Sequence, residues 1–114
     1  MIQIIRNRAT VEQMGQMLEV LELYIKLAVD IKRGILAGGG EFHVDCEQVL
    51  LRDGSEQANI WGADWYPHRQ TIAYESIINI RPRDNNRSLE IQSPQIRDQV
   101  GQVVKSLLGD VQWQ

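Results

Sequence analysis

Cysteine is almost missing from this sequence: Cys46 is the only one among 114 residues. A lone cysteine excludes an internal disulfide and any multi-cysteine zinc site, and it fits a reducing compartment. Long apolar runs are missing too, with nothing near the roughly 18 residues that cross a bilayer. The opening MIQIIRNRAT places arginines directly after a short apolar run and lacks the longer apolar stretch and cleavage site of a signal peptide. The expectation is a cytoplasmic protein with no membrane contact. Basic excess is absent as well. The net charge of −3 and a pI near 5.3 create no overall field to attract a phosphate backbone, which argues against nucleic acid as the main partner. Aromatic residues are only 6% of the chain, so few are available as stacking platforms. No P-loop, Rossmann glycine fingerprint, nucleophile elbow, metalloprotease helix or zinc-finger spacing occurs. No repeat or linker divides the chain, so residues 1–114 read as one domain.

What is present is an ordinary globular balance, 43% hydrophobic and 24% charged. A core is feasible at this size without staples. Ile2, Ile4 and Ile5 suggest an opening strand. Thr10 with Gln13 fits a capping box, and the apolar spacing that follows predicts an amphipathic helix over residues 10–24. Ile25, Leu27, Val29 and Ile31 then alternate with polar or small residues. That pattern predicts a strand, with Arg33-Gly34 as a turn and ILAGGGEFHV as an antiparallel return. Three consecutive glycines at 38–40 imply a bulge, a bend or a close backbone approach. DCEQVLLRDG reads as a short helix with Asp45 as N-cap and Gly54 as its stop. NIWGADWYP and TIAYESIINIRP read as strands ending at Pro67 and Pro82. Ser93-Pro94 opens a final helix closed by Gly109, and VQWQ reads as a frayed tail unless Trp113 folds back. The predicted fold is α+β: a mostly antiparallel sheet of about four to five strands, with two main helices and one short helix packed on one face.

Two polar strings could carry chemistry. Glu41, His43 and Asp45 would share one face of an extended chain, roughly 6.5 to 7 Å apart along it. His43 could then act as a general base oriented by Glu41, or as a metal ligand. The structural alternative is that Asp45 merely caps a helix and Glu41 is solvated. No third convincing ligand is at hand, so no metal site is assigned. The second string is NIRPRDNNRS. On a strand, Asn79, Arg81 and Arg83 would share a face with Glu75, and Arg87 would follow near the N-terminus of the last helix. Guanidinium forks there suit a phosphate or carboxylate. The structural alternative is a solvated turn with local ion pairs. Trp61 and Trp65 share a face and read as core or as the rim of a groove.

The strings EFHVDCE at 41–47, GSEQ at 54–57, IWG at 60–62, INIRP at 78–82 and NNRS at 85–88 together make the chain resemble a family. It is a group of small prokaryotic proteins catalogued as domain of unknown function 5674. The resemblance spans most of the chain from Val29 to the last helix and implies no activity or cofactor. Two readings therefore stay open. One is a small enzyme or ligand-binding domain that holds an anionic small molecule, with His43 and Glu41 as the catalytic pair and Glu75, Asn79, Arg81, Arg83 and Arg87 as binding groups. The other is a non-catalytic interaction or regulatory module, homodimeric through a free sheet face. RNA contact through Trp61, Trp65 and the arginines is a weaker third.

Overall fold

The computed structural model describes residues 1–113. Along the chain lie β1 (Gln3–Ile5), α1 (Val11–Met17), β2 (Ile25–Asp30), β3 (Ile35–Gly38), α2 (His43–Arg52), β4 (Ile60–Tyr66), β5 (Thr71–Ala73) and α3 (Pro94–Leu108). The five strands form one sheet in the order β1-β3-β2-β4-β5. Every neighbouring pair is antiparallel. The α+β class and the antiparallel sheet agree with the pattern of the sequence.

The predicted layering does not hold. Leu27 and Val29 of β2 pack with Met14 and Met17 of α1 and with Val100, Val104 and Leu108 of α3. Ala28, between them in the chain, packs instead with Cys46 and Leu50 of α2. Because successive strand residues point to opposite faces, α1 and α3 cover one face and α2 the other. Small residues make the second face possible: Ala28 and Ala37 leave room for α2 to lie close.

Local chemistry explains the element ends. Thr10 Oγ1 accepts from the Gln13 N–H while Gln13 Oε1 accepts from the Thr10 N–H, so the capping box forms as read. The helix nevertheless stops at Met17, well short of residue 24, and Glu22 adopts a left-handed φ of 65° as the chain turns toward β2. Ser93 caps α3 through the Ile96 N–H, with Pro94 as its first residue. The glycine triplet is a convergence point. Gly39 has φ 104°, and a β-carbon there would run into the Met1 carbonyl and come within 2.8 Å of Met17 Cα. One at Gly40 would meet Cys46 Sγ at 3.3 Å. The close approach expected there is thus made by the chain's own N-terminus and by the helices on both faces.

Three other expectations change. Glu41 to Asp45 is not a strand: α2 begins at His43, Phe42 is its N-cap in extended conformation, and Asp45 lies exposed in its first turn. The strand predicted to run to Pro82 stops at Ala73. Tyr74 to Ser76 then pairs with Leu89 to Ile91, through the Glu75↔Glu90 bridge and the Ser76 N–H to the Leu89 carbonyl. Residues Ile77–Asn79 and Pro82–Asp84 form 3-10 turns. The tail is docked, with Val111 buried and the Trp113 ring edge-on to His68 at 4.9 Å. Gln114, the last residue of the expected frayed tail, lies outside the described residues.

Candidate functional site

Strand β5 pairs with only the last part of β4, from Asp64 to Tyr66. The outer edge of β4 around Gly62 would otherwise present unpaired peptide groups. Asn79 closes it. Its Oδ1 accepts from the Gly62 N–H at 2.8 Å, and its Nδ2 donates to the Gly62 carbonyl at 3.0 Å and to the Leu89 carbonyl at 3.1 Å. One carboxamide thus substitutes for a neighbouring strand. Gly62 has to be glycine here, since a β-carbon would collide with Ser76 Cβ. Asn86 stabilises the same loop, its Nδ2 donating to the carbonyls of Asn79, Ser88 and Glu90. Asn79 is completely buried. The role expected for it as a ligand-binding group is replaced by edge-capping, because all its polar capacity faces the chain.

Beside Gly62, α2 grips the same strand. His43 Nε2 lies 2.7 Å from Asp64 Oδ1 and 3.1 Å from the Ala63 carbonyl. Both partners are acceptors, so Nε2 carries the proton and a neutral ring leaves Nδ1 as its basic nitrogen. Both side chains are largely buried, His43 10% and Asp64 13% exposed. The acid that orients His43 is therefore Asp64, which the sequence reading missed. Glu41, proposed for that role, is exposed. Alternation along NIWGADWYP marks Asp64 as facing away from Trp61 and Trp65, and that was the available signal.

The arginines part company with His43. Arg81 donates to the Gln57 carbonyl at 2.6 Å and stacks 3.7 Å from the centroid of the Trp61 ring. Its Nε lies 3.7 Å from Asp84 Oδ2. Burial lowers its pKa below the ordinary arginine value, opposed by Asp84 and Glu47. Glu47, itself buried, is shifted upward by desolvation, against the pull of Arg81 and Gln57. Arg81 and Arg83 line a hollow of about 290 Å³ with Ile80 and Asp84. His43 and Glu75 line a different one, and Arg87 is exposed. Trp61 and Trp65 are core residues, 2% and 1% exposed, which removes the aromatic surface expected for RNA.

The hollow at His43 measures about 370 Å³ and is walled by Lys26, Phe42, Val44, Ser76, Ile77 and Leu89 as well as His43 and Glu75. Its surface is mainly apolar. Four of its walls are large hydrophobic side chains left substantially in water: Phe42 54%, Val44 42%, Ile77 71% and Leu89 46% exposed. The Lys26 ammonium sits 5.5 Å from the Phe42 ring centroid. None of the described residues forms a cluster of three or more metal-ligating His, Cys, Asp or Glu side chains.

The sequence from residue 3 to residue 107 matches the family described as Protein of unknown function (DUF5674). The chain belongs to this family. No curated protein and no solved structure matches the DUF5674 chain significantly. No helix among its described residues is long and apolar enough to cross a membrane.

Proposed function

We propose that this DUF5674 protein is a non-catalytic interaction module that receives an apolar side chain of a partner protein in the hollow between α2 and the Ile77–Asn79 turn. The observation that carries this reading is the grouping of Phe42, Val44, Ile77 and Leu89, all exposed, around one concavity. Single exposed apolar residues are ordinary, whereas a cluster around a hollow marks a contact surface. The polar groups nearby are engaged elsewhere: His43 holds Asp64, Asn79 holds Gly62 and Arg81 stacks on Trp61. Ser76, the hydroxyl among the walls, accepts from the Ile78 N–H, and the Nε2 of His43 faces Ala63 and Asp64. A photoreactive amino acid placed at Ile77, in the cells that express the protein, should cross-link a discrete partner, and one placed at the exposed Gln99 of α3 should not. Equal products from both positions, or none from Ile77, would refute the reading.

A second reading keeps the anionic small molecule. Its support is the Lys26 ammonium at the same apolar hollow, whose size suits a small ligand. Arg81, Arg83 and Arg87 have no part in it. A medium-chain carboxylate should then raise the melting temperature of the wild type and not of Lys26→Met. An equal rise in both would dismiss it.

A further inference from the structure

We propose that the partner segment is basic as well as apolar: an apolar side chain flanked by lysine or arginine on another protein. This rests on the reading of the hollow as an interaction surface and adds the charge of what fills it. The hydrophobic walls alternate with carboxylates. Glu41 precedes Phe42, Asp45 follows Val44, Glu90 follows Leu89, and Glu75 lines the hollow itself. All four acids are exposed. Lys26 is the only lysine or arginine among the walls, and it is drawn over the Phe42 ring. The mouth of the hollow is therefore an apolar surface inside a negative field, which selects a partner of opposite sign.

A second feature points the same way. Glu75 and Glu90 face each other in an isolated antiparallel bridge. Like charges directly opposite across strands are destabilising. A cation laid across them removes that repulsion, so binding a basic segment is coupled to relief of a cost already present in the free chain.

A second copy of this chain fits less well. In an isologous dimer the same patch meets itself, so each of these carboxylates would face others in a protein already carrying a charge of −3. A head-to-tail contact through the Ile80 and Arg83 surface would offer one exposed guanidinium beside Asp84.

The test uses the isotope-labelled full chain and two short synthetic peptides with identical leucine placement, one with lysine and the other with glutamate at the remaining positions. At low salt the lysine peptide should shift the amide signals of Val44, Ile77 and Leu89. It should bind at least about tenfold tighter than the glutamate peptide, with the gap closing as salt rises. Glu75→Gln should bind the lysine peptide more weakly while unfolding at a higher denaturant concentration than the wild type. A purely structural role for Glu75 would not move those two readouts in opposite directions. Equal or tighter binding of the glutamate peptide at the hollow overturns the inference and leaves the interaction reading standing. So does concentration-dependent self-association abolished by Ile77→Asp, which would identify a second copy as the occupant. If neither peptide shifts the hollow, the inference fails, and the cross-link from Ile77 decides the broader reading separately.

Discussion

Asn79 is the residue on which the candidate site physically depends, through a role its neighbours in the sequence do not announce. Its carboxamide meets both peptide groups of Gly62, so Asn79→Ala leaves a buried N–H and a buried carbonyl without partners. The expected cost is about 2 to 4 kcal/mol, read as a lower urea midpoint, with the Ile77 hollow loosened in the same variant. Asn79→Asp should fare no better, because it keeps the acceptor for the Gly62 N–H but loses both donated bonds. Asp53 offers a cleaner test of a single charge. Hydrogen bonds from Arg6 and then Arg33, at 2.6 and 2.7 Å, hold its carboxyl below the ordinary value of 3.8. A carboxylate whose folded-state pKa is depressed adds stability above its unfolded value and loses it as pH falls through the folded one. Asp53→Asn should accordingly be less stable than the wild type near neutral pH. The difference should fade as pH drops below about 3.8, a trend that denaturant midpoints across that range would reveal. Persistence of the difference in strong acid would assign it to something other than these ion pairs.

At the scale of elements, the hollow is created by a strand that ends early. Strand β5 ends at Ala73, after which the chain pairs Glu75 with Glu90 and folds into a 3-10 turn over Gly62. The sequence TIAYESIINIRP alternates well enough to suggest a longer strand. What interrupts it is Ser76, whose Oγ accepts from the Ile78 N–H, together with the competing pull of Asn79 on Gly62. Serine and asparagine routinely offer the backbone such local alternatives, but nothing in one chain's pattern says which will win. Gly62 makes the outcome testable. Gly62→Ala puts a methyl group where Ser76 now sits, pushing the turn off β4 and breaking the Asn79 bonds. It should cost at least about 2 kcal/mol. Hydrogen exchange should accelerate at Gly62 and Ser76 before it does in β2. A variant with unchanged exchange at those amides would show that the turn is not held by this contact.

For the whole molecule, the central question is how firmly two helical layers clamp one sheet. Cys46 reports on it. The thiol is fully buried between α2 and the small residues of the sheet, and burial raises its pKa to about 11. The thiolate is the reactive form, so the native protein should react with a thiol reagent at pH 8 only as fast as it opens. Labelling should speed up in parallel with global unfolding by denaturant; fast labelling without denaturant would mean that α2 lifts from the sheet independently. The sequence alone determined the elements whose signals are local: the β2–β3 hairpin and β4 from alternation, α1 and α3 from Thr10, Ser93 and Pro94, and the shared strand face of Trp61 and Trp65 from their spacing. It also brought out His43 and Glu75, which share the candidate hollow. Only the tertiary structure decided that α2 lies on the opposite face from α1 and α3, that Asp64 rather than Glu41 partners His43, and that Arg81 is spent on Trp61. Each of those outcomes depends on contacts between distant segments, and periodicity fixes which way a side chain points from its own element, not what the rest of the chain will bring to meet it.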